Sequence, residues 1–159
     1  MALHEKQAET VVWVLSDGLP GHVNQSRGIV KALQEKAPSN FQSHEINISL
    51  KYKFLRPLLR FLANKPSKEL FQKVCHKAYN FISPTQTSPD LIISTGGNTL
   101  PLNIALSQQY QCTNVFSGTL KGYLPALVNI NFSVAPLNHP NNYLLDLPPS
   151  IISHRQSTE

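Results

Sequence analysis

The 159-residue sequence is poor in charge, in cysteine and in long apolar runs, and each shortage excludes a class of protein. Charged residues make up 14% of the chain and apolar residues 41%, a balance that excludes a disordered chain and can supply the core of one domain. No apolar run approaches the length that crosses a bilayer. The only two cysteines, Cys75 and Cys112, have no CxxC spacing, which indicates reduced core thiols of a cytosolic protein.

Several motifs with well-defined chemistry are also missing. The sequence has no GxxxxGK[ST] segment and no GxGxxG segment, which argues against an ordinary P-loop NTPase and a typical dinucleotide fold. It has no HExxH and no cluster of Cys and His, so we predict neither a metal nor a cofactor. The first nine residues are polar and lack the apolar core of a signal peptide. We therefore expect a cytoplasmic protein, either free or peripheral to a membrane.

The positive charge is concentrated in residues 51–77, which hold eight Lys and Arg residues against one acid, Glu69. Three interpretations of this segment stay open. It could be a solvated helix face, or it could bind an anionic membrane surface, because six large apolar residues lie opposite Lys53, Arg56 and Arg60 on a helical wheel. Nucleic acid is the least favoured partner, because the aromatic residues fall on the apolar faces and do not alternate with the cations.

The hydrophobic periodicity predicts strands that alternate with helices. Strands are expected near residues 11–15, 44–49, 90–94, 113–116 and 131–135, with a further candidate at 143–147. Helices are expected at about 24–35, at two places in the basic segment (the second running from Ser67 to Ile82) and at 99–109. This alternation predicts an α/β fold, a Rossmann-like three-layer sandwich with a mostly parallel sheet. We assign residues 11–149 to the domain, with an N-terminal tail at 1–10, a linker after Pro136 and a flexible, poorly packed tail at 150–159.

Three polar, glycine-bearing loops follow predicted strands: Ser16–Gln25, Thr95–Asn98 and Ser117–Gly122. The carboxyl ends of parallel strands meet at one edge of a sheet, where open α/β sheets bind ligands. His22 is the candidate general base and Asp17 the residue that orients it, although both could simply cap a turn. The candidate ligand-binding residues are Ser16, Gly18, Gly21, Asn24, Gln25, Thr95, Gly96, Gly97, Asn98 and Lys121. Gly96, Gly97 and Asn98 would form an anion cradle, and Lys121 would neutralise a phosphate.

Three segments carry a resemblance to a known family: Trp13–Gly18 continuing through Pro20–His22 and Asn24–Gln25, then Pro89–Ser94, then Asn131–Pro136. The chain resembles the mitochondrial fission ELM-type family, whose members have a glycosyltransferase-B-like fold. The resemblance covers about residues 11–149 and corresponds to the N-terminal half of that fold. It implies binding of a sugar or nucleotide sugar, with glycosyl transfer as the reaction. It also implies that a second α/β domain or a homo-oligomer completes the site. The alternative function is a non-catalytic interaction scaffold, peripheral at a membrane surface.

Overall fold

The computed structural model describes residues 9–36, 40–146 and 149, and along them strands alternate with helices. The elements in chain order are β1 (Thr10–Ser16), α1 (Pro20–Lys36), β2 (Phe41–Asn47), β3 (Ser49–Leu50), α2 (Arg56–Ala63), α3 (Lys68–Ala78), β4 (Tyr79–Asn80), β5 (Leu91–Thr95), α4 (Leu100–Tyr110), β6 (Thr113–Ser117), β7 (Ile130–Ser133) and β8 (Asn142–Leu144). Short 3₁₀ turns at Lys53–Leu55 and Pro125–Leu127 precede α2 and β7.

Six strands form one sheet in the order β2-β1-β5-β6-β7-β8, and all five neighbouring pairs are parallel. The predicted α/β class and parallel sheet are therefore confirmed. The second predicted strand is shorter than expected, because Ser49–Leu50 leaves the main sheet and pairs antiparallel with Tyr79–Asn80. β3 and β4 thus form a separate small sheet.

Both faces of the sheet are covered, which produces the three layers. Along β1, Trp13 and Leu15 belong to a core shared with α2, α3 and α4, whereas Val12 and Val14 belong to a core shared with α1. Alternate strand residues point to opposite faces, so a continuous apolar run is what a sheet buried on both sides requires. Trp13 is completely buried, and its ring lies edge-on to Tyr110 at 5.1 Å.

The first helix begins four residues earlier than predicted. Pro20 is its first residue, a position that suits proline because its fixed φ is helical and its missing N–H has no helical partner there. The amide of Val23 donates to the carbonyl of Leu19 at 3.0 Å, which closes the first turn. The residues that we expected in a loop, from Gly21 to Gln25, therefore lie on the first turns of α1.

The six apolar residues of the predicted first helix lie in different environments: Leu59 packs into the core, whereas Phe54, Leu58 and Phe61 are exposed. One expectation for the basic segment is wrong. The second helix ends at Ala78 instead of Ile82, because the chain switches to the extended strand β4. Ile82 is consequently 88% exposed.

The prediction of a linker after Pro136 is wrong for the described residues of that segment, because they pack against the sheet. β8 adds a sixth strand beside β7, and the Asn141 side chain donates to the carbonyl of Val128 at 2.9 Å. The predicted tail at 150–159 lies outside the described residues. Within the described ranges, no helix has both the length and the hydropathy needed to cross a membrane.

Candidate functional site

The order of the strands creates a crevice between β1 and β5. After β1 the chain crosses to β2 on one side, and after β5 it crosses to β6 on the other. The two outgoing connections diverge at the carboxyl edge, and this topological switch point is where open α/β sheets bind ligands. The connection after β1 carries Asp17 and leads to His22, and the connection after β5 carries Gly96, Gly97 and Asn98.

Asp17 and His22 are joined by a side-chain hydrogen bond at this switch point. Asp17 Oδ2 lies 2.7 Å from His22 Nδ1, and its other oxygen, Oδ1, accepts the Leu19 amide at 3.1 Å. The Asp17 side chain is only 6% exposed, whereas His22 is 33% exposed. An ionised carboxylate can only accept, so it holds the N–H of the imidazole at Nδ1 and leaves Nε2 free to accept a proton.

Gly96 makes room for the His22 ring. Its φ is +90°, and a Cβ at this position would lie 2.2 Å from Cε1 and 2.3 Å from Nδ1 of His22. The Gly96 amide donates to the carbonyl of Ser117 at 3.2 Å, so this N–H is already bonded inside the fold. The role that the structure supports for Gly96 is close packing beneath the imidazole.

The switch-point cleft, with a volume of about 300 Å³, opens beside the imidazole. Its lining is rich in nitrogen-bearing side chains and consists of His22, Arg56, Arg60, Gly97, Asn98, Leu100, Thr119, Leu120, Lys121 and Tyr123. The lining contains four basic residues and no carboxylate. The cleft therefore favours a negatively charged ligand.

Hydrogen bonds hold the two arginines at the rim of the cleft. A guanidinium nitrogen of Arg56 (Nη2) donates to Asn98 Oδ1, and Arg60 Nη1 donates to the carbonyl of Lys121 at 3.2 Å. Gly122, at φ +89°, lets its loop approach Arg60, because a Cβ there would lie 3.2 Å from Arg60 Cδ. The backbone is thus shaped around these two side chains.

Asn64 and Tyr79 fix the two loops that border the cleft. Asn64 Nδ2 donates to the carbonyl of Gly122 at 2.8 Å, and its Oδ1 accepts the Leu124 amide at 3.0 Å. The Tyr79 hydroxyl donates to the carbonyl of Asn98 at 2.5 Å. Burial raises the pKa of the Tyr79 phenol, so it stays protonated and remains a donor.

The predicted ligand-binding residues do not all lie in one place. Of those residues, Gly97, Asn98 and Lys121 line the switch-point cleft together with His22. Gln25 accepts a hydrogen bond from Ser117 at 3.1 Å and lines a neighbouring cleft of about 170 Å³.

Apart from Gly96, which packs beneath the His22 ring, the remaining predicted residues line neither cleft. A shallow depression beside β2 is lined in part by Ser16, Gly18, Gly21 and Asn24. The Thr95 hydroxyl is buried in a 2.8 Å hydrogen bond with Ser26. Within the part of the chain that the structure describes, no three His, Cys, Asp or Glu side chains are grouped to hold a metal ion.

Sequence reasoning did not select Arg56, Arg60 or Tyr123 for the site. The sequence placed the two arginines only on a basic helix face. They are far from the polar loops in sequence, so the pattern gave no indication that they lie beside those loops in the fold. One signal was present, because residues four apart share a helix face and Arg56 and Arg60 are the only arginines of the basic segment. Arginine, unlike lysine, offers a planar fork that matches phosphate and carboxylate oxygens.

The fold and the site define a Rossmann-like α/β domain with a cleft lined by basic side chains at its switch point. The model of the family described as "Mitochondrial fission ELM1" matches residues 20–117, and the chain belongs to this family. The match includes His22, α2 and Gly96–Gly97, and it ends before Lys121. Comparison with curated proteins and comparison with solved structures each gave no significant match. The resemblance stated from the sequence is confirmed.

Proposed function

We propose that the switch-point cleft binds a sugar or a nucleotide sugar and that His22 is the general base of a glycosyl transfer. The observation that carries this proposal is the 2.7 Å contact between Asp17 and His22 at the border of a cationic cleft. A buried carboxylate that orients a partly exposed imidazole is the arrangement that general-base catalysis uses.

In the proposed reaction, Nε2 of His22 takes the proton of an acceptor hydroxyl. The acceptor oxygen forms a bond to the anomeric carbon of the sugar, and the bond from that carbon to the leaving phosphate oxygen breaks. The electron pair leaves with the nucleoside diphosphate, whose negative charge the cations of the cleft would stabilise. Asp17 acts through His22, because it stabilises the imidazolium and holds the ring in one tautomer.

Thermal-shift screening against nucleotide sugars tests the binding step. A ligand at 100 times its dissociation constant adds about 2.7 kcal/mol to the free energy of unfolding. We expect at least one nucleotide sugar to raise the melting temperature and His22→Ala to abolish transfer without abolishing binding. His76→Ala is the matched control, because His76 is exposed on α3 and bonded to Gln109 at 2.6 Å, outside the lining of the cleft. Unchanged melting with every nucleotide sugar would contradict the proposal.

A second candidate function, a scaffold that binds an anionic membrane surface, is favoured by one observation. Phe54, Leu58 and Phe61 form an exposed apolar surface and are 75%, 44% and 57% exposed. One exposed lysine lies beside this surface, because Lys65 Nζ is 4.6 Å from the centre of the Phe61 ring. Exposed apolar side chains in a basic segment suit a layer of anionic headgroups above acyl chains.

Vesicle sedimentation tests the scaffold. The protein should sediment with vesicles containing phosphatidylserine and stay in solution with pure phosphatidylcholine vesicles. Phe54→Ser combined with Phe61→Ser should abolish sedimentation, whereas Tyr143→Ser, a change at another exposed aromatic on the sheet-edge strand β8, should not. Equal sedimentation of both variants would refute the membrane contact. The second α/β domain or homo-oligomer expected from the sequence stays a prediction.

A further inference from the structure

We infer that the switch-point cleft recognises a phosphoryl group, a phosphate monoester or diphosphate, through Arg56, Arg60 and Lys121. The inference rests on the proposed function, because it names the part of the ligand that these side chains hold. The sequence predicted an anion cradle at the glycine turn after β5, but the Gly96 amide there already donates to the Ser117 carbonyl. We therefore assign anion binding to the three cations.

The three cations come from two separate parts of the chain. Arg56 and Arg60 are one helical turn apart on α2, and Lys121 lies in the loop after β6, more than fifty residues later. All three line the same cleft of about 300 Å³. Like charges repel when they are brought together, so the fold gains no stability from this grouping unless an anion joins them.

No carboxylate neutralises this group among the residues that the structure describes. The carboxylates there that lie within 4 Å of a basic side chain are Asp17, beside His22, and Glu45, beside Arg27. Asp17 is the partner of His22, a residue of the cleft lining, but its side chain is only 6% exposed. It already accepts hydrogen bonds at both oxygens, from His22 and from the Leu19 amide. The positive charge of the cleft is therefore available to a ligand.

Hydrogen bonds orient both arginines and leave most of their N–H donors available. Each guanidinium has five N–H donors, and the hydrogen bonds to Asn98 Oδ1 and to the Lys121 carbonyl occupy one nitrogen of each. The same hydrogen bonds fix the orientation of the remaining N–H donors, which have no hydrogen-bond partner among the described residues. Such a pre-positioned fork forms paired, charge-assisted hydrogen bonds with phosphate oxygens.

The charge of the group distinguishes a phosphoryl ligand from a carboxylate. A single carboxylate brings one negative charge, whereas a phosphate monoester carries about −1.5 to −2 at neutral pH. Three cations around one small cleft match the second value better. Thr119, Asn98 and Tyr123 add neutral polar groups to the lining, and they suit hydroxyls on an organic group esterified to the phosphate.

Isothermal titration of the intact chain with pyrophosphate tests the inference. Arg56→Gln and Arg60→Gln should each raise the dissociation constant at least tenfold, because each variant loses charge-assisted hydrogen bonds to the phosphate oxygens. Lys73→Gln is the matched control, since it removes the same charge from an exposed position on α3 and should change the constant less than twofold. Arg60→Lys keeps the charge and loses the fork, so it should give an intermediate value. Circular dichroism melting verifies that each variant is folded.

The outcomes separate this inference from the proposed function. Pyrophosphate binding that the two arginine variants lose, in the absence of any response to sugars, would support the phosphoryl site and contradict the glycosyl transfer. A nucleotide sugar that binds equally well to wild type, Arg56→Gln and Arg60→Gln would overturn the phosphoryl site alone. Failure of pyrophosphate to bind would also overturn it. Competition between pyrophosphate and phosphatidic acid vesicles distinguishes a soluble phosphoryl ligand from a lipid headgroup.

Discussion

Replacing Gly96 with alanine tests how closely the turn after β5 supports the His22 imidazole. The new Cβ would lie 2.2 Å from Cε1 of His22, closer than real Cβ atoms approach a neighbour. The ring would have to swing away, and its 2.7 Å bond to Asp17 would break. The residue would also keep a φ of +90°, which side chains other than glycine adopt at a cost.

The two effects can be estimated separately. The positive φ costs about 1–2 kcal/mol, and the loss of a partly exposed hydrogen bond costs about 1 kcal/mol more. For a domain of this size, each 1 kcal/mol lowers the melting temperature by roughly 2–4 °C. We therefore expect Gly96→Ala to lower the melting temperature by about 5–10 °C and to abolish any activity that uses His22.

Urea unfolding of four proteins separates the strain from the collision with the ring. They are wild type, Gly96→Ala, His22→Ala and the double variant. With the ring absent, Gly96→Ala should cost only the strain of about 1–2 kcal/mol. Gly97→Ala is the control, because a Cβ there meets nothing within 4 Å. An equal loss of stability with and without the His22 ring would refute the packing argument, as would a Gly96→Ala protein as stable as Gly97→Ala.

Three further predictions concern alkaline stability, a buried phenol and the loop after β6. Burial raises the pKa of Cys112 to about 11, so the unfolded chain ionises this thiol first and the free energy of unfolding should fall as pH rises from 9 to 11. Cys112→Ala should reduce that slope in urea titrations without abolishing it, because burial also raises the pKa values of Cys75, Tyr79 and Tyr123; an unchanged slope would contradict this. Tyr79→Phe removes the donor to the Asn98 carbonyl and should cost about 0.5–1.5 kcal/mol in chemical unfolding; no loss would mean that the bond is not formed. Gly122→Ala places a Cβ 3.2 Å from Arg60 Cδ at φ +89° and should weaken pyrophosphate binding in calorimetry, whereas full affinity would show that the loop can move freely.

The sheet was predictable because its strands carry their signal locally. Val11–Leu15 and Leu91–Ser94 are short apolar runs that end in polar or glycine-bearing turns, which is the pattern of a parallel strand buried on both faces. The segment after Pro136 was harder, because its Asn and Pro content is typical of a linker. The segment is held to the sheet by hydrogen bonds to residues more than ten positions earlier, such as the bond from Asn141 to the Val128 carbonyl. Composition does not indicate such bonds.

The candidate site was predictable only in part, for a related reason. Asp17 and His22 are five residues apart, so their meeting depends on one local turn that the sequence displays. Arg56 and Arg60 reach the cleft because α2 packs against α4 and because Asn64 fastens it to the loop after β6. These are contacts between distant segments, and periodicity identifies which side of a helix is polar without identifying what that side faces.

Helix α2 has a consequence for regulation, because its eight residues contribute to two surfaces at once. Arg56 and Arg60 line the switch-point cleft, while Leu58 and Phe61 belong to the exposed apolar surface. An element shared by two surfaces couples them only when binding at one surface shifts it. If contact at the apolar surface shifts α2 and changes the affinity of the cleft by some factor, occupation of the cleft must change the affinity of the apolar surface by that same factor. The dissociation constant for pyrophosphate, measured with and without anionic vesicles, would give that factor directly.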